Sequence, residues 1–251
     1  MRDGSIFVNY ACSRENYPNT SQMIAQKLPN TNWGPTPAEA LQALYEKFSV
    51  EVANTSQVAE EAYRLRYQVY CRERGYESSD TGLEIDEFDA QSRHIVIRHR
   101  LTGRVVATVR LVLFGSGVGK YSLPIQQFCT PGMLDGLPLD AAAEISRFAV
   151  AKELRGIAGA SATPIHIGLM RGIIRVSQEL GLTHWCAIME RSLLRLLRAT
   201  AIHFHPIGPP VAHHGLRQPA YGVIGQIVSR VRSEQPAIWD FVNQDGLLTV
   251  G

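Results

Sequence analysis

No stretch of the chain approaches the ~20 consecutive apolar residues that a membrane-spanning helix needs. The N-terminus also lacks an apolar core behind a basic start, so neither a span nor a secretory leader is expected. Cysteine is scarce. Cys12, Cys71, Cys129 and Cys186 show neither paired metal-ligand spacing nor the density of a disulfide framework, which points to reduced thiols in a cytoplasmic setting. Charge of one sign is lacking too: a formal net charge of +2 is too mild for nucleic acid as the main partner. The eight histidines form no recognised zinc pattern, although His203-x-His205 and His213-His214 are locally dense, so no metal is expected. No repeat with a period of roughly 20 to 50 residues is visible, which excludes solenoids and propellers.

What remains is ordinary globular material. With 251 residues, 45% of them hydrophobic and 19% charged, the chain can bury one substantial core. Residues 1–35, rich in Asn, Ser, Thr and Pro, read as an N-terminal arm or cap, and residues 36–251 as the main domain. Thr36-Pro37 introduces a short helix through Ala40, Leu41, Leu44 and Tyr45, followed by a strand from Phe48 to Ala53. Ala59, Ala62, Leu65 and Val69 recur at helical spacing after Thr55 or Ser56 as cap, with the helix ending near Gly75. RHIVIRHRL, a Thr102-Gly103 turn and RVVATVRLVLF make an antiparallel hairpin. AAEISRFAVA is a central strand. A helix follows, capped at Thr163-Pro164, with Ile165, Leu169, Ile173, Val176 and Leu180 as its apolar stripe and Gly181 at its end. A strand at 182–189, a helix at 191–200 and terminal strands around the Gly-Pro loop at 208–210 complete the order. An α/β (α+β) fold with a mixed central sheet flanked by helices is expected.

Several polar residues are out of place in such a pattern. Arg110 sits inside VVATVRLVLF, where a buried guanidinium needs carboxylates, and Asp86 and Asp89 on the preceding loop are candidates for bidentate pairing. The alternative is a purely structural ion cluster. Arg66 and Tyr70 lie four apart and share a helix face directed at one cleft, against the commoner snorkelling arginine beside a core tyrosine. In EISRFAV a regular strand puts Glu144, Ser146 and Phe148 on one face and Arg147 on the other. A β-bulge there would gather the polar side chains and open backbone donors.

LRYQVY, the Asp86/Asp89 pair, VRL around Arg110 and EISRFAV stand in the order and approximate spacing of acyl-homoserine-lactone synthases, which the chain resembles over about residues 45 to 245. The resemblance implies a GNAT-like fold and a site built from Arg66, Tyr70, Asp86, Asp89, Arg110, Glu144, Ser146 and Arg147. Tyr76 stands where those synthases usually carry tryptophan, which weakens S-adenosylmethionine as a substrate. MERSLLRLLR and HHGLRQPAY look closer to PEP-CTERM/exosortase-associated acyltransferases, and the chain also resembles N-acyl amino acid synthases.

The resemblance implies transfer of a long-chain acyl group from acyl carrier protein or coenzyme A to the amine of an amino acid or related acceptor, without a tightly bound cofactor. Glu144 is then the general base, with Ser146 and Arg147 beside it. Arg66, Tyr70, Tyr76, Asp86, Asp89 and Arg110 hold the acceptor, and amides around Phe148, Ala149 and Val150 meet the oxyanion and acyl donor. Arg155, Gly156, Gly159 and Ala160 supply an arginine and glycines for a phosphate cradle, but without the tight spacing of ordinary GNAT enzymes, so a flexible loop is the commoner reading. Arg171 and Arg175, and the stripe Arg191, Arg195 and Arg198, suit an acidic carrier protein, with a solvated helix face as the alternative. Two rival functions stand: an autoinducer synthase using S-adenosylmethionine, and a noncatalytic acyl-carrier-binding module.

Overall fold

The computed structural model describes residues 36–115, 121–130, 132–155, 163–244 and 246, apart from the side chains of Pro37 and Thr163. The N-terminal arm with Cys12, and Gly156, Gly159 and Ala160 of the candidate phosphate cradle, lie outside the described residues.

Local chemistry sets the first elements. Helix α1 (Pro37–Lys47) starts in a capping box: Glu39 N–H donates to Thr36 Oγ1 at 3.2 Å, and Thr36 N–H to Glu39 Oε2 at 2.6 Å. Strand β1 (Phe48–Val52) follows directly. Helix α2 (Ser56–Arg66) is capped by Thr55, whose hydroxyl accepts from Val58 N–H at 3.3 Å. The sequence pattern predicts one helix to Gly75. Instead the winding widens into a π-helical segment over Tyr67–Glu73, closed by Arg74 N–H to Val69 O at 3.2 Å, a departure often found at functional sites.

The hairpin forms as expected from β2 (Ser92–His99) and β3 (Val105–Leu113), with Gly103 at φ +69° in the turn. Then come β4 (Ala142–Val150), α3 (Thr163–Glu179), β5 (His184–Met189), α4 (Arg191–Ala199), two short strands β6 (His205–Pro206) and β7 (Val211–Ala212), and β8 (Leu216–Val223). Two helices not expected from the sequence follow β8, α5 (Ile224–Glu234) and α6 (Pro236–Val242), where terminal strands were expected to be last.

The sheet runs β1-β2-β3-β4-β5-β8-β6, with β7 paired to β8. It is antiparallel except at β4–β5, where the parallel register holds from Ala142↔His184 to Glu144↔Cys186 and then stops. Beyond Glu144 the two strands part, and residues 145–148 of one and 187–189 of the other wall the same cavity. This wedge positions the site.

Helix α3 seals one face of the sheet. Ile165, Leu169, Ile173 and Val176 are buried as the stripe predicts, whereas Leu180, at the helix end before Gly181, stays 43% exposed. Gly168 and Gly172 let the helix approach closely, since a Cβ on Gly172 would stand 2.4 Å from Ile95 Cγ2. The buried Trp185 Nε1–H donates to Ser177 Oγ at 2.8 Å and ties β5 to α3. On the other face Phe88, Val112, Leu123, Ile125 and Cys186 form a second, smaller core. Cys71, Cys129 and Cys186 are free thiols, and burial pushes that of Cys186 up to about 12.

Candidate functional site

At the bulge expected in EISRFAV, the β3–β4 register passes from Thr108↔Ala149 to Arg110↔Ser146, so Arg147 and Phe148 together oppose Val109. Arg147 takes φ +51°, a left-handed conformation rare for a residue with a side chain. Tyr70, buried on the π-helical segment, braces the distortion by donating its hydroxyl to Phe148 O at 2.9 Å.

Around the bulge, three arginines and three carboxylates alternate in a closed ring. Arg66 meets Glu84 at 2.5 Å and Asp89 at 2.7 Å; Asp89 meets Arg110 at 2.9 Å; Arg110 meets Asp86 at 2.5 Å. Arg147 closes it, reaching Asp86 at 3.0 Å and Glu84 at 2.8 Å, with Glu77 outside the ring at 3.3 Å. Arg110 Nε–H also donates to Ser146 Oγ at 3.1 Å. Arg66, Arg110, Glu84 and Asp89 are buried, where an unpaired charge would be costly, and each has its partners within the ring. Burial would raise the Asp89 carboxyl, but hydrogen bonds from Arg66 and the charges of Arg66 and Arg110 hold it well below the usual range. His94, buried beside it with Nε2 3.6 Å from Asp89 Oδ1, is pushed down to about 4 by burial and is neutral at pH 7. The expected pairing of Arg110 with Asp86 and Asp89 is thus present. Glu84, which closes the ring, and Glu77, outside it, were not singled out in the sequence.

The cavity between the parted strands holds about 220 Å³. Its wall includes Tyr70, Tyr76, Ser146, Arg147 and Phe148 among the expected residues. Its interior is apolar, from Met170, Ala187, Leu197 and Phe204, and Arg74 stands exposed on its solvent side. Arg217 and Glu190, paired at 3.1 Å, line it as well. His214 stacks on Tyr76 with centroids 4.7 Å apart. Sequence reasoning picked out neither Glu190 nor Arg217, and left His214 without a role.

Other expected residues lie outside this wall. Arg66, Asp86, Asp89 and Arg110 form the ring behind it. Glu144 faces the smaller core, fully buried, with Oε2 accepting from Ile125 N–H at 2.6 Å. Burial pushes its carboxyl up to about 8, against the opposing effects of the Ile125 amide and the Arg110 and Arg147 charges. Ala149 packs with Val69 and Tyr70, and Val150 pairs with Ala107. Arg155 is engaged by Glu73 and by Val150 O, the latter at 2.7 Å, rather than directed at the cavity. Among the described residues no His, Cys, Asp or Glu group is arranged to hold a metal, and no helix is long and apolar enough to cross a membrane.

Residues 65–163 match the model of the acetyltransferase (GNAT) domain. Among solved structures, the acyl-homoserine-lactone synthase LasI aligns at 19% identity over 70% of this chain and 89% of that one, with a TM-score of 0.55. BjaI, a coenzyme A-dependent acyl-homoserine lactone synthase solved with S-adenosylmethionine and isopentyl-coenzyme A, aligns at 20% identity over 81% and 91%, with a TM-score of 0.54. TofI, solved with an inhibitor and methylthioadenosine (MTA), aligns at 19% identity over 76% and 99%, with a TM-score of 0.52. Among curated proteins no sequence match is found. At these identities the likeness is one of fold: a GNAT-like mixed sheet with flanking helices.

Proposed function

We propose that this chain is an N-acyltransferase that moves a long-chain fatty acyl group from a carrier thioester to the amine of an amino acid or related acceptor. The observation that carries this reading is the cavity opened where β4 and β5 part: apolar inside, charged at its solvent side, and bordered by the bulge at Arg147. Its volume of about 220 Å³ is below the ~300–1,000 Å³ of pockets that enclose drug-sized ligands, so a long acyl chain extends along the open side or displaces apolar side chains.

In the reaction the amine nitrogen attacks the thioester carbonyl, the C–S bond breaks, and the amine's proton leaves as the thiolate is released. Glu144 is the general base. It does not line the cavity, but Ser146 two residues on does, so Ser146 or a water carries the proton to it. A carboxyl held near 8 suits this role, since a base is most effective when its pKa lies near the working pH. Backbone amides at Phe148 and Val150 stabilise the oxyanion, while Tyr70, Tyr76 and Arg147 shape the acceptor side. The ring behind them fixes the bulge. Arg191, Arg195 and Arg198 are exposed on α4, the helix whose Leu193 and Leu197 wall the cavity, and offer an acidic carrier protein a surface next to the acyl entrance.

The test is to incubate the protein with acyl carrier thioesters, acyl-coenzyme A, a pool of amino acids and S-adenosylmethionine, and to read the products by mass spectrometry. An acyclic N-acyl amino acid is expected. A lactone with methylthioadenosine would replace this reading with an autoinducer synthase. Carrier binding without acyl consumption across all donors would replace it with a binding module.

A further inference from the structure

Two guanidinium groups near the Tyr76 ring, whose stacking partner is His214, have their charge incompletely answered. Arg74 Cζ lies 5.6 Å and Arg217 Cζ 5.8 Å from its ring centroid, and both arginines line the cavity. Arg217 donates from Nη2 to Glu190, while its buried Nε–H finds no acceptor among the described residues. Arg74 has, among the described residues, one long contact of 3.4 Å to the Tyr76 hydroxyl and no carboxylate at ion-pair distance. On the same wall, Arg147 is matched by Glu77, Glu84 and Asp86. Of these two cations only Arg217 is paired, with Glu190, and donors on both are left for an anion entering the cavity. Guanidinium groups favour planar, bidentate oxyanions.

We propose that Arg74 and Arg217, set about the Tyr76 ring, form the subsite that binds the carboxylate of the acceptor, restricting acceptors to amines that also carry a carboxylate. This rests on the acyl-transfer reading above. The amine then points past Tyr76 toward Arg147 and the bulge, where the thioester carbonyl is placed, while the acyl chain occupies the apolar interior. A carboxamide of the same shape keeps the apolar contacts but loses the charge-assisted bonds.

The probes are N-dodecanoylglycine, its carboxamide analogue and coenzyme A, titrated calorimetrically against the full chain and its Arg74→Gln, Arg217→Gln and Arg217→Lys variants. The wild type is expected to prefer the acid over the amide by about 10- to 100-fold, as charge-assisted hydrogen bonds imply. Either glutamine variant brings that ratio close to one, Arg217→Lys restores part of it, and coenzyme A affinity is unchanged. Arg74 is exposed, so its variant reads the subsite without disturbing the core. Equal affinity for acid and amide in the wild type would overturn the carboxylate subsite while leaving acyl transfer standing. Loss of coenzyme A affinity in the variants, with the acid-to-amide ratio intact, would overturn it by assigning the arginines to a donor phosphate. If neither dodecanoyl ligand binds, the acyl-transfer reading falls and the subsite with it.

Discussion

Replacing Glu144 with glutamine separates a buried carboxyl's effect on stability from its effect on rate. The glutamine would keep the acceptor for Ile125 N–H and nearly the same volume, but would never ionise. The wild-type carboxyl sits at about 8 in the fold against an ordinary 4.5, because the smaller core around it desolvates the charged form. A group raised in the fold binds its proton more tightly folded than unfolded. Its contribution to stability is therefore full below pH ~4.5 and is lost as pH rises toward 8. At ~1.4 kcal/mol per pH unit, the wild type should lose stability relative to Glu144→Gln by about 3 kcal/mol at pH 7 and about 5 kcal/mol above pH 8. Urea unfolding of both proteins from pH 4 to 9 measures this, and the wild-type-minus-variant difference cancels the titration of His94 and other groups common to both. The same pair of proteins gives a second readout: wild-type turnover should rise toward pH 8 and the variant's should collapse. Parallel stability curves would refute the burial argument; a variant with full turnover would refute the role of base.

Asp89→Asn leaves Arg66 and Arg110 facing each other with one fewer carboxylate, and should cost about 3–5 kcal/mol in urea unfolding at pH 7. Because the Asp89 carboxyl is held low in the fold, the wild type should give up that advantage as pH falls below ~4. Gly172→Ala gains up to ~1 kcal/mol of helix propensity yet forces a methyl to 2.4 Å from Ile95 Cγ2, so a net loss of about 1–2 kcal/mol is expected. Ile95→Ala should offset part of it in a double-mutant cycle. Tyr70→Phe removes the donor to Phe148 O at the bulge and should cost about 1–3 kcal/mol, measured as a shift in the urea midpoint.

The hairpin, the central strand and the α3 stripe were legible because hydrophobic period and turn chemistry agree over long stretches. The terminal helices were not. Ile224, Ile227 and Val231 do recur at helical spacing, but they are β-branched residues and follow β8 without a turn between them. The bulge was legible because a run with Glu144, Ser146 and Arg147 on alternate faces conflicts with a buried strand. Glu84 and Glu77 left no such mark, since an acidic residue in a polar loop is ordinarily solvated; their partner Arg147 lies 63 and 70 residues away. Arg217 and Glu190, 27 residues apart, come together when β8 returns beside β5. The π-helical winding of Tyr67–Glu73 has no local signature at all.

The ring explains why an arginine occupies a backbone position that a glycine or asparagine would fill with less strain. Left-handed φ for such a residue costs on the order of 1–3 kcal/mol, and it persists where the surroundings over-determine it. Arg147 is held by Glu84 and Asp86, which are held in turn by Arg66 on α2 and Arg110 on β3, and Arg66 and Arg110 share Asp89. Each carboxylate answers two guanidinium groups, so moving the bulge would strand charges on three other elements in a buried setting. The same connections place Ser146, Arg147 and Phe148 on the cavity wall and keep β4 turned away from β5. A neutral apolar replacement for the ring could match its stability. It could not direct the bulge, because apolar packing lacks the directional partners that select one φ at residue 147.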